Sequence, residues 1–268
     1  MIKEEIKIFF TSLMFYTRIP CPKYVDHSEE YLNKATRYFP LVGIIVGVIS
    51  FIFYWISNQI FNVQISVIIS IASGILVTGA FHEDGFADTF DGFGGGWTKE
   101  KILEIMKDSR VGVYGVISIV ILLFLKIFSF TSLVLIIQSN FDQTSELIIF
   151  MIFITYHSIS RLTAINIVFR SDYSRADELG KSKPVAKNNS FTEIFISYFW
   201  GLIPLLGLTY FSTLYLLVVF PLLFLFIYSS RYFKKYIGGY TGDCLGAVEQ
   251  LSELTCLLFF LALTKFLT

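Results

Sequence analysis

Residues 37–82 read RYFPLVGIIVGVISFIFYWISNQIFNVQISVIISIASGILVTGAFH, and between Arg37 and His82 no side chain carries a formal charge. A polar dip at SNQIFNVQ (57–64) divides the run into two spans, about 39–57 and 63–81. Each is close to the ~20 apolar residues needed to cross a bilayer. The pattern repeats outward along the chain. A third span runs over 111–137, broken only by Lys126, and a fourth over 147–169, holding His157 and Arg161. Residues 194–230 are again free of charge. As one helix they would extend roughly 55 Å at ~1.5 Å per residue, so they are expected to split into two spans near Leu208–Ser212. A seventh span covers 245–264. The reading is an all-α polytopic membrane protein with about seven transmembrane helices, residues 1–268 forming a single integral membrane domain. Before the first span, Ile2, Ile6, Phe9, Phe10, Leu13 and Met14 recur at helical spacing and predict an N-terminal amphipathic helix. Its mixed acids and bases do not fit a signal peptide.

Composition agrees: 54% of residues are apolar and 16% charged, against about 45–50% and about 25% in soluble domains. The formal net charge of zero argues against nucleic acid, which asks for a basic patch. Cys21, Cys244 and Cys256 share no metal-ligand or redox spacing. Of the 21 Lys and Arg residues, only Lys126, Arg161 and Lys265 lie outside four segments: the one before span one and the loops after spans two, four and six. The positive-inside rule puts those segments in the cytoplasm. The residues richest in chemistry then fall on one side. A transporter, the competing class, would hold its polar site nearer the midplane.

The first of those stretches is GAFHEDGFADTFDGFGGG (79–96). Asp84, Asp88 and Asp91 stand at i, i+4 and i+7 and share one helix face. Stacked carboxylates repel unless a cation lies between them, and all-oxygen ligation selects a hard ion such as Mg²⁺. These three are the expected metal ligands; the competing reading is a solvated acidic helix end. Gly92 and Gly94 would let backbone approach a phosphate. Glu83 lies off the stripe and reads as a surface charge. His82 has three open roles: base, phosphate donor or helix-end residue. A second set follows in GGYTGDCLGAVEQLSE (238–253), whose glycines suggest a flexible, phosphate-tolerant turn. Asp243 is a candidate general base. Glu249 and Glu253, an i, i+4 pair at the start of the last span, would bind a polar substrate or a second cation, or else be neutralised by Lys126 or Arg161. Arg110, Arg18, Arg37 and Arg175 lie beside these motifs and suit bidentate phosphate contact. Singly, each also reads as an interfacial anchor.

The blocks FYTRIPCP (15–22), RYFPLVGIIVG (37–47), GAFHEDGFADTFDGFGGG (79–96), DSRVGVYGV (108–116) and GGYTGDCLGAVEQLSE (238–253) resemble, in order and spacing, the bacterial cobalamin synthases, the adenosylcobinamide-GDP ribazoletransferases. The resemblance runs from about residue 8 to 264. It implies the closing of the nucleotide loop of cobalamin. Adenosylcobinamide-GDP is joined to α-ribazole or its 5′-phosphate, GMP leaves, and Mg²⁺ is needed. It also implies an enzyme integral to the bacterial cytoplasmic (inner) membrane, in contact with lipid. Mapped onto the candidate residues, Asp84, Asp88 and Asp91 would hold metal on the pyrophosphate, and Asp243 or His82 would take the hydroxyl proton. Arg110, Arg175 and Arg18 would bind phosphate oxygens, and Glu249 and Glu253 would orient the ribose. A homo-oligomer is left open. Phosphotransferases of the CDP-alcohol type are the rival, but DGFAD has Asp88 where their pattern has arginine.

Overall fold

The computed structural model describes residues 2–23, 25, 28–174 and 190–267. Among them the regular structure is all helical apart from one isolated parallel bridge, Tyr173 to Tyr240. The helices are α1 (Ile2–Tyr16), α2 (Glu29–Ala35), α3 (Phe39–Asn58), α4 (Val63–Thr78), α5 (Phe81–Gly95), α6 (Lys99–Ile105), α7 (Val113–Asn140), α8 (Ser145–Arg170), α9 (Phe191–Leu208), α10 (Val219–Ile237) and α11 (Gly242–Leu267). Six described helical segments are long and apolar enough to cross a membrane, or seven if the bent pair α4–α5 counts as one. The protein is a polytopic all-α membrane protein. α1 is not among the spans; of its expected apolar face it buries Leu13, whereas Ile6 is 43% exposed and Ile8, outside that pattern, is buried. The charge-free run 194–230 breaks where expected, by turns after Leu208 and a 3₁₀ stretch at Thr213–Val218.

α8 is the central post, buried along nearly its whole length. α3 lies against it because Gly43 and Gly47, four apart, present no side chain. A Cβ on Gly43 would collide with the His157 carbonyl, and one on Gly47 would come within 2.7 Å of that of Phe153. Small residues at this spacing are how membrane helices approach closely. Arg37, expected among the phosphate ligands, is instead buried and paired with Glu5 at 2.9 Å and Glu193 at 3.3 Å. It ties α1 to the start of α9.

The second span differs from its sequence reading. α4 is capped by Asn62, whose side chain accepts from the Ile65 N–H at 3.0 Å, and stops at Thr78 rather than residue 81. Gly79 (φ 68°) and Ala80 (φ 58°) both take the left-handed conformation, and α5 leaves at 88° to α4. Left-handed backbone costs a non-glycine residue about 1–2 kcal/mol, so the elbow needs external bracing. Arg18 supplies it: its N–H donates to the Val77 carbonyl at 2.7 Å, and its side chain lies where a Cβ on Gly79 would be. Hydropathy does not register this turn, because both residues are uncharged.

Candidate active site

α5 and α11 touch backbone to backbone at one end of the bundle. A Cβ on Gly85 would come within 2.9 Å of the Asp243 Cα, and one on Gly246 within 2.9 Å of the His82 carbonyl oxygen. Glycine at both positions therefore seats the first turn of α11 on α5, between Asp84 and Asp88. Thr241 starts α11: its hydroxyl accepts from the Cys244 N–H at 3.3 Å and donates to Asp243 Oδ2 at 3.3 Å. Asp84 is exposed and Asp88 half-buried. The Asp243 backbone thus lies against α5 at Gly85, which falls between Asp84 and Asp88 in the sequence.

Asp91 is engaged differently. It is 7% exposed, and its carboxylate accepts from the N–H groups of Gly112 at 2.7 Å and Gly115 at 2.8 Å. Gly112 is the N-cap of α7, so Asp91 caps that helix, satisfying two orphan donors and meeting the positive end of its dipole. A Cβ on either glycine would collide with the carboxylate. The GVYG of residues 112–115 was the available sequence signal for this cradle.

Gly92 and Gly94 form no open phosphate cradle. α5 continues through them to Gly95. A Cβ on Gly92 would lie 2.7 Å from the Met106 side chain, and one on Gly94 2.6 Å from the Tyr114 ring. They let α6 and α7 pack onto α5. The turn before α11 is likewise held fast. The Tyr240 N–H donates to the Asp172 carbonyl at 3.0 Å, and the Ser174 N–H to the Tyr240 carbonyl at 2.9 Å. Arg175, next along, lies outside the described residues. Arg110 is exposed and forks onto Asp108, with Nε to Oδ1 at 3.0 Å and Nη2 to Oδ2 at 2.6 Å. These hydrogen bonds pull the Asp108 pKa down to about 2.

Deeper in the bundle lies a buried ionic network joining α5, α7, α8 and α11. Lys126 Nζ donates to Glu253 Oε2 and Gln250 Oε1, each at 2.6 Å. His157 Nδ1 is 2.6 Å from Glu253 Oε1. Arg161 Nη1 reaches Glu253 Oε1 at 3.3 Å and lies 2.8 Å from Glu249 Oε1, although without the alignment of a hydrogen bond. Glu249 and Glu253 are thus neutralised internally, the alternative noted from the sequence. Glu83 is no surface charge: Gln250 Nε2 donates to its Oε1 at 2.9 Å, and its Oε2 is buried. With His82 and His157 it lines a cavity of about 20 Å³. Spacing alone had no means of showing which helix would cover Glu83.

Among the described residues no three His, Cys, Asp or Glu side chains converge as a preformed metal site. Mg²⁺ asks for less, since it commonly takes one or two carboxylates and completes its shell with water and substrate phosphate. Asp84, exposed, and Asp88, half-buried, are hard oxygen donors that fit that requirement; Asp91, closed in its glycine cradle, does not.

The profile of the cobalamin-5-phosphate synthase family matches residues 8–261. A Shewanella frigidimarina protein named adenosylcobinamide-GDP ribazoletransferase is 41% identical over 97% of this chain and 95% of its own length. One of the same name from Shewanella oneidensis is 43% identical over 94% and 93%. No solved structure matches. With the family profile covering nearly all of the described bundle and such relatives matched over almost their full length, the chain belongs to the cobalamin-5-phosphate synthase family.

Proposed function

We propose that this protein joins adenosylcobinamide-GDP to α-ribazole, or to α-ribazole 5′-phosphate, releasing GMP and closing the nucleotide loop of the cobalamin product. The observation that carries the reading is the seating of Asp243 between Asp84 and Asp88 through the Gly85 and Gly246 contacts. Those carboxylates sit at the bundle end rich in Lys and Arg, which supports a site facing the cytoplasm from the cytoplasmic membrane.

In the proposed reaction a ribose hydroxyl of the acceptor attacks the phosphorus bonded to the cobinamide arm. The new P–O bond forms as the anhydride bond to GMP breaks. Asp243 takes the hydroxyl proton, and the pair on the broken bond leaves on the GMP phosphate. Such transfers depend chiefly on positioning and charge neutralisation. Asp84 and Asp88 would hold Mg²⁺, whose chemistry there is to offset charge on the pyrophosphate. Arg110, exposed and forked on Asp108, and Arg175 would meet the outer phosphate oxygens. Arg18 acts through the elbow it braces, and Glu249 and Glu253 through the network that holds α11 in place. GMP release by detergent-purified protein, with both substrates and with Mg²⁺ or EDTA, tests the reading. Mg²⁺-dependent GMP and cobalamin product are expected. Release of CMP from CDP-linked substrates, without GMP release, would overturn it.

A further inference from the structure

Beside the carboxylates, a second cavity of about 80 Å³ opens among the ends of α1, α3, α5, α8 and α11. Its walls are apolar and half aromatic: Phe15, Tyr16, Phe39, Phe81, Tyr173 and Tyr240, with Ile165, Val168 and Leu245 between them. Tyr16 stacks on Phe39 with ring centres 4.1 Å apart, and Phe39 on His82 at 5.6 Å. The lining contains no Lys, Arg, Asp or Glu. Its one ionisable nitrogen side chain, His82, is 2% exposed and has a buried Nε2 without a hydrogen-bond partner. Gly242, the residue before Asp243, also lines it, and a Cβ there would meet no atom within 4 Å.

We infer that this cavity seats the planar base of the nucleoside acceptor, with His82 Nε2 hydrogen-bonding to it. The inference rests on the transferase reading above and assigns that site its acceptor pocket. An uncharged aromatic slot rejects phosphate, whose charge would be stripped of water without compensation. A fused aromatic base with little hydrogen-bonding capacity matches the walls and needs only one polar partner. A lipid chain would leave Nε2 unmatched. The location agrees: a base held against Gly242 puts its ribose beside Asp243, the proposed proton acceptor. A cavity that takes benzene is about 150 Å³, so seating the base requires a wall to move. Phe81, 45% exposed, is the wall residue with open space beside it. His82 is thereby a substrate-binding residue, not the base.

The test uses the full chain purified in detergent, with initial rates measured against each substrate separately. Gly242→Leu puts a side chain at the cavity wall, where a Cβ meets no atom within 4 Å. It should raise KM for the nucleoside at least about tenfold, while KM for the GDP-linked substrate stays within about twofold. His82→Phe keeps the ring and removes Nε2, and should shift the same KM in the same direction. It also serves if the leucine variant does not fold. An unchanged nucleoside KM in the folded variants, or both KM values rising together, would overturn the pocket while leaving the transferase reading intact. A wild-type protein that releases no GMP with these substrates would overturn both.

Discussion

Two aspartates three residues apart on α5 illustrate how little a residue's type says about its job. Asp88 is half-buried, whereas Asp91 points both oxygens at the N–H groups of Gly112 and Gly115. Loss of a helix cap costs about 0.5–2 kcal/mol, so Asp91→Ala should lower the thermal midpoint in detergent. Asp88→Ala should lower the midpoint by less and cut GMP release at least about a hundredfold, in line with loss of a transition-state electrostatic contact. Equal midpoints, or near-normal turnover by Asp88→Ala, would count against this division. Asp108 gives a pH prediction. Its folded pKa of about 2 lies below the ordinary ~3.9 of an aspartate. The contribution is therefore full above ~3.9 and is lost as pH falls through about 2. Arg110→Ala should raise the Asp108 pKa in an NMR titration, short of the ordinary value because the residue 110 N–H still donates to Oδ1 at 3.0 Å, and stability above pH 5 should show no pH dependence from this pair. The three aspartates could be placed on one face from spacing alone. Which of them would be covered by another helix could not, because the Gly112–Gly115 cradle is set by tertiary contact.

At the scale of elements, the spans were legible because the bilayer imposes a length and a polarity that hydropathy reads directly. The 88° elbow was not, since hydropathy carries no information on the sign of φ. It matters for the site, because the bend carries α5 across the bundle end instead of along a span. Gly79→Val should therefore be costly twice over, from left-handed backbone and from collision with Arg18. The helix–helix seats predict something separate. Gly246→Val would force a branched side chain into the His82 backbone, and overpacking of this kind costs about 1–3 kcal/mol. The expected outcome is a protein that still reaches the membrane fraction but has lost turnover, with Asp243 lifted off α5. Wild-type turnover by Gly246→Val would mean that the α5–α11 contact does not set the site.

Across the whole molecule, Lys126, Glu253, His157, Arg161 and Glu249 bind α7, α8 and α11 into one unit. Removing one partner of a buried ion pair leaves an uncompensated charge and costs about 3–5 kcal/mol. Lys126→Met should accordingly lower the thermal midpoint sharply, and Lys126→Met combined with Glu253→Leu should recover part of the loss. A double variant less stable than Lys126→Met would contradict the pairing. Sequence reading had named Lys126 and Arg161 as possible neutralisers, since charges inside spans demand partners. It missed Glu83, whose partner Gln250 lies 167 positions away.

That same sequence distance shapes how the chain must be made. Lys126 and Glu253 are 127 residues apart, so a ribosome delivers α7 and α8 to the membrane long before α11 exists. A lone lysine or arginine at the middle of an inserting helix costs about 2.5–3.5 kcal/mol, which the apolar flanks of Lys126 can offset. The nascent bundle then lacks the Glu249 and Glu253 carboxylates that meet Arg161 and Lys126 until α11 arrives. Synthesis halted just before α11 should yield a product that inserts and is then cleared by membrane proteases, making the last helix the checkpoint of biogenesis as well as the carrier of Asp243.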